Sequence, residues 1–330
     1  MTAEKRFDVT IAGDCNLDLL LYGLPEDLPH ERELLASGMD LQTGGSAAIT
    51  ACNLAALGNS VGFVCATAED AFAPLCLSPL IAAGVDTSAT VKIPQGASGV
   101  TVHVQHQESR HMLTYAGVTH GLTRAHLDVD YLARSRHFHM ASYYLQQGLT
   151  PDIPALLAEL KQRGLTISMD PNDDPEDRWD RAILEALRYV DVLMPNEREA
   201  CRVADVEDPE EAIAMLRTMV PLLVVKRGAL GATAYTRDAR WETLAHPVQT
   251  VDAVGAGDSF NAGFLHGYLR QWTIDRCLRF GCLAGAWSTT ASGGTAAFAD
   301  PASRAAFDET WQSMETAALA QYAKFQGTKN

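Results

Sequence analysis

The sequence predicts an α/β fold, with a mostly parallel central sheet flanked by helices on both faces and a small second β layer. Three observations carry this. Between residues 136 and 226, short apolar β-type runs alternate with stretches of helical period, the pattern of a parallel sheet joined by right-handed crossovers. Polar and glycine clusters fall directly after the strands, at Asp14/Asn16/Asp18, Gly44-Gly45, Ser142/Tyr143, Asp170/Asn172, Asn196/Glu199, Lys226/Gly228 and Gly255–Asp258. In a parallel sheet those carboxyl ends line one edge and one cleft. Two early segments, about 19–43 and 97–117, break the alternation and form the second layer.

In chain order, Asp8–Ala12 reads as the first strand. Residues 19–43 lack helical period and contain Pro25 and Pro29, so extended segments and turns are expected. Gly44-Gly45-Ser46 opens an alanine-rich helix over 47–57, stopped at Gly58. Val61–Cys65 reads as a strand and 71–83 as a helix. Val100–Gln105 and His111–Tyr115 alternate at period two around a polar turn at 107–110, a half-buried antiparallel hairpin. The alternating half then runs strand 136–141, helix 153–163, strand 165–170, helix 178–187, strand 190–194, helices 197–203 and 209–219, and strand 222–226. Residues 233–236 and 242–244 read as antiparallel edge strands, and the remainder is mostly helical.

The run Val251-Asp-Ala-Val-Gly-Ala-Gly-Asp-Ser-Phe-Asn-Ala-Gly-Phe264 turns on Gly255 and Gly257 and continues as a helix from Asp258 to about Arg270. The glycines permit unusual backbone angles and close approach of a ligand. A helix starting there aims free N–H groups and its positive dipole end at an anion. Asp258 in such a turn reads two ways: as a base taking a proton from an attacking hydroxyl, or as an ordinary N-cap.

Composition narrows the function. The 330 residues, 47% apolar, are ample for one large domain spanning 1–330. The net charge of −15 disfavours nucleic acid and anionic membranes as partners. Seven scattered cysteines with no Cys-x-x-Cys pair fit free thiols in a reducing cytoplasm. The charged Met1–Asp8 stretch reads as no targeting segment, and no apolar run approaches the roughly 20 residues that span a bilayer. His103 and His106 lie on opposite strand faces. His137 and His139 share a face without a third ligand, so all four read as core or surface histidines. Tyr143, after a strand, reads either as a stacking platform or as packing.

Two nucleotide motifs are excluded. A Walker A loop needs Gly-Lys, which never occurs. A Rossmann ladder needs a third glycine that neither Gly13 nor Gly255-x-Gly257 has. Protein-kinase triplets are absent as well. The chain instead resembles the ribokinase-like carbohydrate kinases, the pfkB family. Asp252–Phe264 resembles its C-terminal signature, and Gly44-Gly45-Ser46-Ala47-Ala48 its N-terminal one. Gly13-x-x-Asn16-x-Asp18 resembles its sugar-binding opening, Asn196-x-x-Glu199 its Asn-x-x-Glu motif, and Lys226-x-Gly228-x-x-Gly231 its nucleotide loop. The matches keep family order over about residues 8–295.

The resemblance implies a ribokinase-like three-layer sandwich and roles for each cluster. Asp258 would be the base, with the N–H groups of Gly255, Ala256 and Gly257 as anion hole. Glu199 and Asn196 would order Mg²⁺ and its waters near ATP. Lys226, Gly228, Gly231 and Asn196 would line the nucleotide side. Asn16, Asp18, Gly44 and Gly45, with Ile49, Tyr143, Asp170 and Asn172, would face the sugar. Segments 19–43 and 97–117 would form a lid that closes on substrate and pairs two subunits as a homodimer. Asp252, Val254, Ser288 and Gly293 would surround a monovalent cation such as K⁺.

Three departures bear on the substrate. Ile49 stands where the family has a sugar-binding Asn, so an apolar substrate face or a lost contact is expected. Asp173 and Asp174 stand where relatives that take sugar acids carry Arg, which would repel an anionic substrate. Ser46 replaces the Lys of relatives that act on sugar phosphates. Together they favour a neutral small-molecule sugar, ribose- or fructose-like. The alternatives are a nucleoside kinase on the same fold and a catalytically weak binding or regulatory homologue.

Overall fold

The computed structural model describes residues 6–106 and 110–327. Strand β1 (Phe7–Ala12) leads into β2 (Asn16–Tyr22) and β3 (Gly38–Gly44), then helix α1 (Ser46–Ala56) and β4 (Val61–Val64). A short β5 (Ala66–Ala68), α2 (Ala73–Ala82) and β6 (Val91–Ile93) precede the hairpin β7 (Val100–Gln105) and β8 (Arg110–Tyr115). After α3 (Val129–Leu132) the alternation begins: β9 (Ser135–Ala141), α4 (Ile153–Gln162), β10 (Thr166–Asp170), α5 (Ile183–Leu187), β11 (Val192–Leu193) and α6 (Glu197–Ala204). It continues through α7 (Pro209–Met219), β12 (Leu222–Lys226), β13 (Ala232–Tyr235) and β14 (Arg240–Thr243). The chain ends in α8 (Ala256–Leu269), α9 (Ile274–Ser288), α10 (Ala296–Ala299) and α11 (Pro301–Gly327).

The main sheet has eight strands in the order β14-β13-β12-β11-β10-β9-β1-β4, parallel except where β13 and β14 turn back at the edge. Its two faces carry separate apolar layers. Phe138, Met140, Ile167 and Met169 pack under α4 to α7. Val9, Ile11, Phe63 and Val224 pack under α1, α8 and α9. A third cluster, Phe280, Phe298, Phe307 and Trp311, fastens α10 and α11 to α9. The helices on both faces follow from this alternation, since each strand is apolar on both sides.

The second layer is a four-stranded sheet in the order β3-β2-β7-β8. Residues directly opposite share a face. Register pairs Asp18 with Gln42 and Thr101, and Leu20 with His103. The face that meets the main body therefore carries Asn16, Asp18, Tyr22, Gln42, Thr101, His103 and Gln105. The opposite face carries Leu17, Leu19, Leu21, Met39, Leu41, Val102, Leu113 and Tyr115. The extended segments expected over 19–43 are thus two long strands. The hairpin occurs as expected, with Arg110 already in β8; its turn at 107–109 lies outside the described residues.

One helix is shorter than its sequence pattern. The stretch expected to be helical from Arg178 begins only at Ile183. The Asp174 carboxylate accepts the backbone N–H groups of Glu176, Arg178 and Trp179 and holds a loop in which Asp177 and Trp179 have positive φ. Side-chain capture of those N–H groups competes with the helix. The paired histidines are buried core groups. His137 and His139 both bond the Ser168 hydroxyl at 2.7 Å, and burial holds each pKa down to about 3.

Candidate active site

The carboxyl ends of β1, β9, β10 and β12 meet the N-termini of α1, α6 and α8 along one edge, and the four-stranded sheet stands over it. Gly255 takes the N-cap position of α8 at φ 70, and no side chain caps that end. A Cβ at Gly255 would lie 2.5 Å from Gly294 Cα, so this turn requires glycine in both conformation and space. No side chain takes the leading N–H groups of this 14-residue helix; that of Ala256 makes one long bond, 3.3 Å, to Ala253 O. Asp258, 7% exposed, stands in the first turn. Burial, followed by repulsion from Asp170, lifts its pKa to about 7, against the opposing pull of Lys226.

Lys226 closes β12. Its ammonium pairs with the fully buried Asp170 and lies 3.6 Å from where a Cβ on Gly257 would stand. Burial alone would lower the Lys226 pKa; Asp170 and Glu199 outweigh it and raise it. Asp170 also accepts from Asn261 Nδ2 and from the Asn172 N–H. Its side chain is thus committed to fixing Lys226 beside the phosphate turn, which corrects the expectation that it faces the sugar. Asn172 likewise stitches elements together. Its Oδ1 accepts the Ser142 N–H at 2.7 Å, and its Nδ2 donates to Ser46 Oγ at 3.1 Å.

Asn196 and Glu199 form a reciprocal cap on α6. Asn196 Oδ1 accepts the Glu199 N–H at 2.8 Å, and Glu199 Oε2 accepts the Asn196 N–H at 2.7 Å. The Asn196 amide also donates to Glu199 Oε1. Burial, then Asp170, raises the Glu199 pKa to about 7. Glu199, Asp170 and Asp258 thus press on one another around a single ammonium. That excess of buried negative oxygen is the chemistry a hard divalent cation fits. Glu199 and Asn196 are the residues that would hold Mg²⁺ or its waters.

On the sugar side, Asn16 Nδ2 donates to Asp18 Oδ1 and Thr101 Oγ1, both at 3.0 Å. A Cβ on Gly44 would fall 2.1 Å from Asp18 Oδ1, so Gly44 makes room for that carboxylate. His103 reaches over from β7, its Nε2 3.4 Å from Asp18 Oδ2. Gly45 starts α1, whose first N–H groups, from Ser46 and Ala47, are taken by the Asp14 carboxylate at 2.9 and 3.0 Å. Burial raises the Asp14 pKa in spite of these bonds.

Two further expectations are corrected. Ile49 does not face the sugar as a substitute for a polar contact; its side chain packs against Gly294 and Gly255, under the phosphate turn. Tyr143 is fully buried, with its ring against Tyr144 in the core, because the strand end turns it inward. Asp173 and Asp174 also change role. Asp173 pairs with Arg198, and Asp174 is spent on its loop, so neither supplies the repulsion expected of them.

Asp252, Val254 and Gly293 do converge. The Asp252 carboxylate accepts the Val254 N–H, the Gly293 N–H and Gln105 Nε2, each at 3.0 Å. Ser288 turns its hydroxyl back to Gly285 O. A carboxylate so filled with N–H donors is a hydrogen-bonded hub that ties the turn before α8 to the loop after α9.

Beside the phosphate turn opens a cavity of about 540 Å³, lined by Lys226, Gly228, Gly231, His246, Phe260 and Ala286 among others. Lys226, Gly228 and Gly231, the residues expected on the nucleotide side, all line it. His246, Phe260 and the α9 face around Ala286 also line it and were not foreseen, since they belong to no sequence motif. Among the described residues, no helix is long and apolar enough to cross a membrane.

Comparison with known proteins agrees with this geometry. The sequence profile of the pfkB family carbohydrate kinases matches residues 7–301, and the chain belongs to that family of phosphotransferases. It is similar to a cytidine kinase of Thermococcus kodakarensis, 29% identical over 83% of this chain and 93% of the relative. It is also similar to an ATP-dependent ribose-1-phosphate kinase of Halopiger xanaduensis, 28% identical over 88% and 94%. In fold it is similar to an E. coli protein solved in complex with ATP and Mg²⁺, with TM-score 0.77 and 24% identity over 88% of this chain and 94% of that one.

Proposed function

We propose that the protein transfers the γ-phosphoryl group of Mg·ATP to a hydroxyl of a neutral, ribose- or fructose-like sugar. The observation that carries this is Asp258, a buried carboxyl lifted to about 7 within the first turn of an uncapped helix. A base with that affinity is matched to accepting a hydroxyl proton near neutral pH. The N–H groups of Gly255, Ala256 and Gly257 would stabilise charge on the transferring group, that of Ala256 by leaving its long 3.3 Å bond to Ala253 O. Mg²⁺, held through Glu199 and Asn196, would supply charge neutralisation on the ATP phosphates. Lys226, fixed by Asp170, stands at the same turn, and the neighbouring cavity takes the nucleotide.

The sugar side is rich in carboxylates: Asp14, Asp18 and Asp258 are all buried there. Such groups accept hydrogen bonds from hydroxyls and disfavour an anionic acceptor, so the preference for a neutral sugar rests on them. The four-stranded sheet acts as the lid, with His103 and Thr101 lowered onto the substrate. Its outer apolar face, with Met39, Leu113 and Tyr115 exposed, supports pairing with a second copy as a homodimer. The seven free cysteines support a reducing, cytoplasmic setting.

The likeness to a cytidine kinase favours a nucleoside acceptor as the second reading. A panel of neutral sugars, sugar acids, sugar phosphates and nucleosides, read by ADP release, separates the two. Turnover is expected with a pentose or ketohexose; turnover confined to nucleosides establishes the second reading. Asp258→Asn is expected to cut kcat about 10³-fold while Mg·ATP still binds by calorimetry. Undiminished turnover would remove Asp258 as the base.

A further inference from the structure

Three strands of the lid touch two neighbouring loops of the main body, the one before α8 and the one after α9. From β2, Tyr22 Oη and Ser292 Oγ lie 2.6 Å apart. From β3, the Gln42 side chain packs on Gly293, where a Cβ would meet its Cγ at 2.8 Å. From β7, Gln105 Nε2 donates to Asp252 Oδ1. The same Asp252 oxygen accepts the Val254 N–H, one residue before the phosphate turn, while its other oxygen accepts the Gly293 N–H.

The contact continues inward. Gly294 O accepts from Asn53 Nδ2 at 2.9 Å, Asn53 Nδ2 also reaches Ser259 Oγ at 2.9 Å, and Ser259 Oγ donates to Gly255 O at 2.8 Å. Asp252 and Asn53 therefore grip both ends of the turn that starts α8. Among the lid's contacts, Gln105 donates an N–H to the gripping carboxylate itself, and the Tyr22 hydroxyl lies close enough to feel the same charge.

We infer that Gln105 is a positioning residue that couples lid closure to the anion hole, by supplying the third donor to Asp252 only while the lid is down. With the lid raised, the carboxylate loses that donor and its hold on Val254 and Gly293 slackens. With the lid lowered, the N–H groups of Gly255 to Gly257 are set for phosphate. Phosphoryl transfer is thereby tied to closure, which limits transfer to water when no acceptor is bound. The two arrangements of the lid form the bistable element such a coupling needs.

The inference rests on the phosphotransferase reading, and its first test needs no acceptor. Amide hydrogen exchange is measured on the intact protein with wild-type, Gln105→Leu and Gln105→Lys chains. In Gln105→Leu the amides of Val254 and Gly293 are expected to exchange about tenfold faster, the scale of one hydrogen bond lost, at an unchanged melting temperature. Gln105→Lys, whose ammonium reaches the same carboxylate, is expected to restore slow exchange. Unaltered exchange at both amides in Gln105→Leu overturns the coupling. With an acceptor identified by ADP release, Gln105→Leu is expected to lose about tenfold in kcat with KM held within twofold. A change in KM alone reduces Gln105 to a lid-binding contact and also overturns it. Failure of every sugar in the panel strikes the proposed substrate class and leaves the exchange result to decide the coupling.

Discussion

Helices α6 and α8 begin on the same edge of the same sheet, and their N-termini are finished in opposite ways. At α6 the Asn196 side chain takes the Glu199 N–H, because Asn196 and Glu199 cap each other. At α8 the cap residue is Gly255 in the left-handed conformation, with no side chain turned onto the free N–H groups. Helix α1 shows a third solution, in which Asp14, from the end of another strand, accepts the N–H groups of Ser46 and Ala47. The difference teaches where anion binding resides. A helix dipole alone is common to all three; the α8 end differs in carrying no side-chain acceptor, which suits it to a phosphate.

The largest effects are expected at the open end. Gly255→Val puts a branched side chain at positive φ and into Gly294; kcat should fall by at least about 10² and stability by about 2 kcal/mol, read by steady-state kinetics and urea melts. If this variant stays active, the open-end account is wrong.

Next comes pH. Asp258 must be ionised to accept a proton, so kcat/KM should rise with pH through about 7. The stability sign is opposite. A carboxyl whose folded pKa is raised binds its proton more tightly in the fold, so it favours the native state below its ordinary range and loses that advantage as pH climbs toward 7. Asp258→Asn should therefore melt higher than wild type at pH 8, with the gap narrowing at pH 5. Equal melting temperatures at pH 8 would mean Asp258 is not strained by its site.

At the capped end the effects are smaller. Glu199→Gln keeps the cap acceptor and removes the charge; the Mg²⁺ concentration for half-maximal rate should rise about tenfold. Asn196→Ala should cost about 1 kcal/mol of stability, the ordinary loss of an N-cap. A Mg²⁺ requirement untouched by Glu199→Gln would leave the α6 terminus as a cap and nothing more.

The alternating strands and helices, the phosphate turn and the order of the motif clusters were legible in the sequence. Each rests on local chemistry: apolar period, glycine at a turn, a polar residue closing a strand. Side-chain direction was not legible. Asp170, Asp174, Ile49 and Tyr143 stand at the positions expected of substrate contacts. Yet the first is claimed by Lys226, the second by its own loop, the third by Gly294 and the fourth by the core. The cavity beside the turn was half legible, because Lys226, Gly228 and Gly231 form a motif while Phe260 and Ala286 are ordinary helix residues.

By itself the sequence determined that this chain is a pfkB-type phosphotransferase with a carboxyl beside a glycine turn. Those features are encoded within about a dozen adjacent residues and need no distant partner. Tertiary structure alone decided which helix end stays open, what lifts Asp258 toward neutrality and which carboxylates are already spent. These depend on groups far apart in the chain, Asp14 with Ser46, Asp170 with Lys226, Gln105 with Asp252, whose energies arise only once folding has excluded water between them.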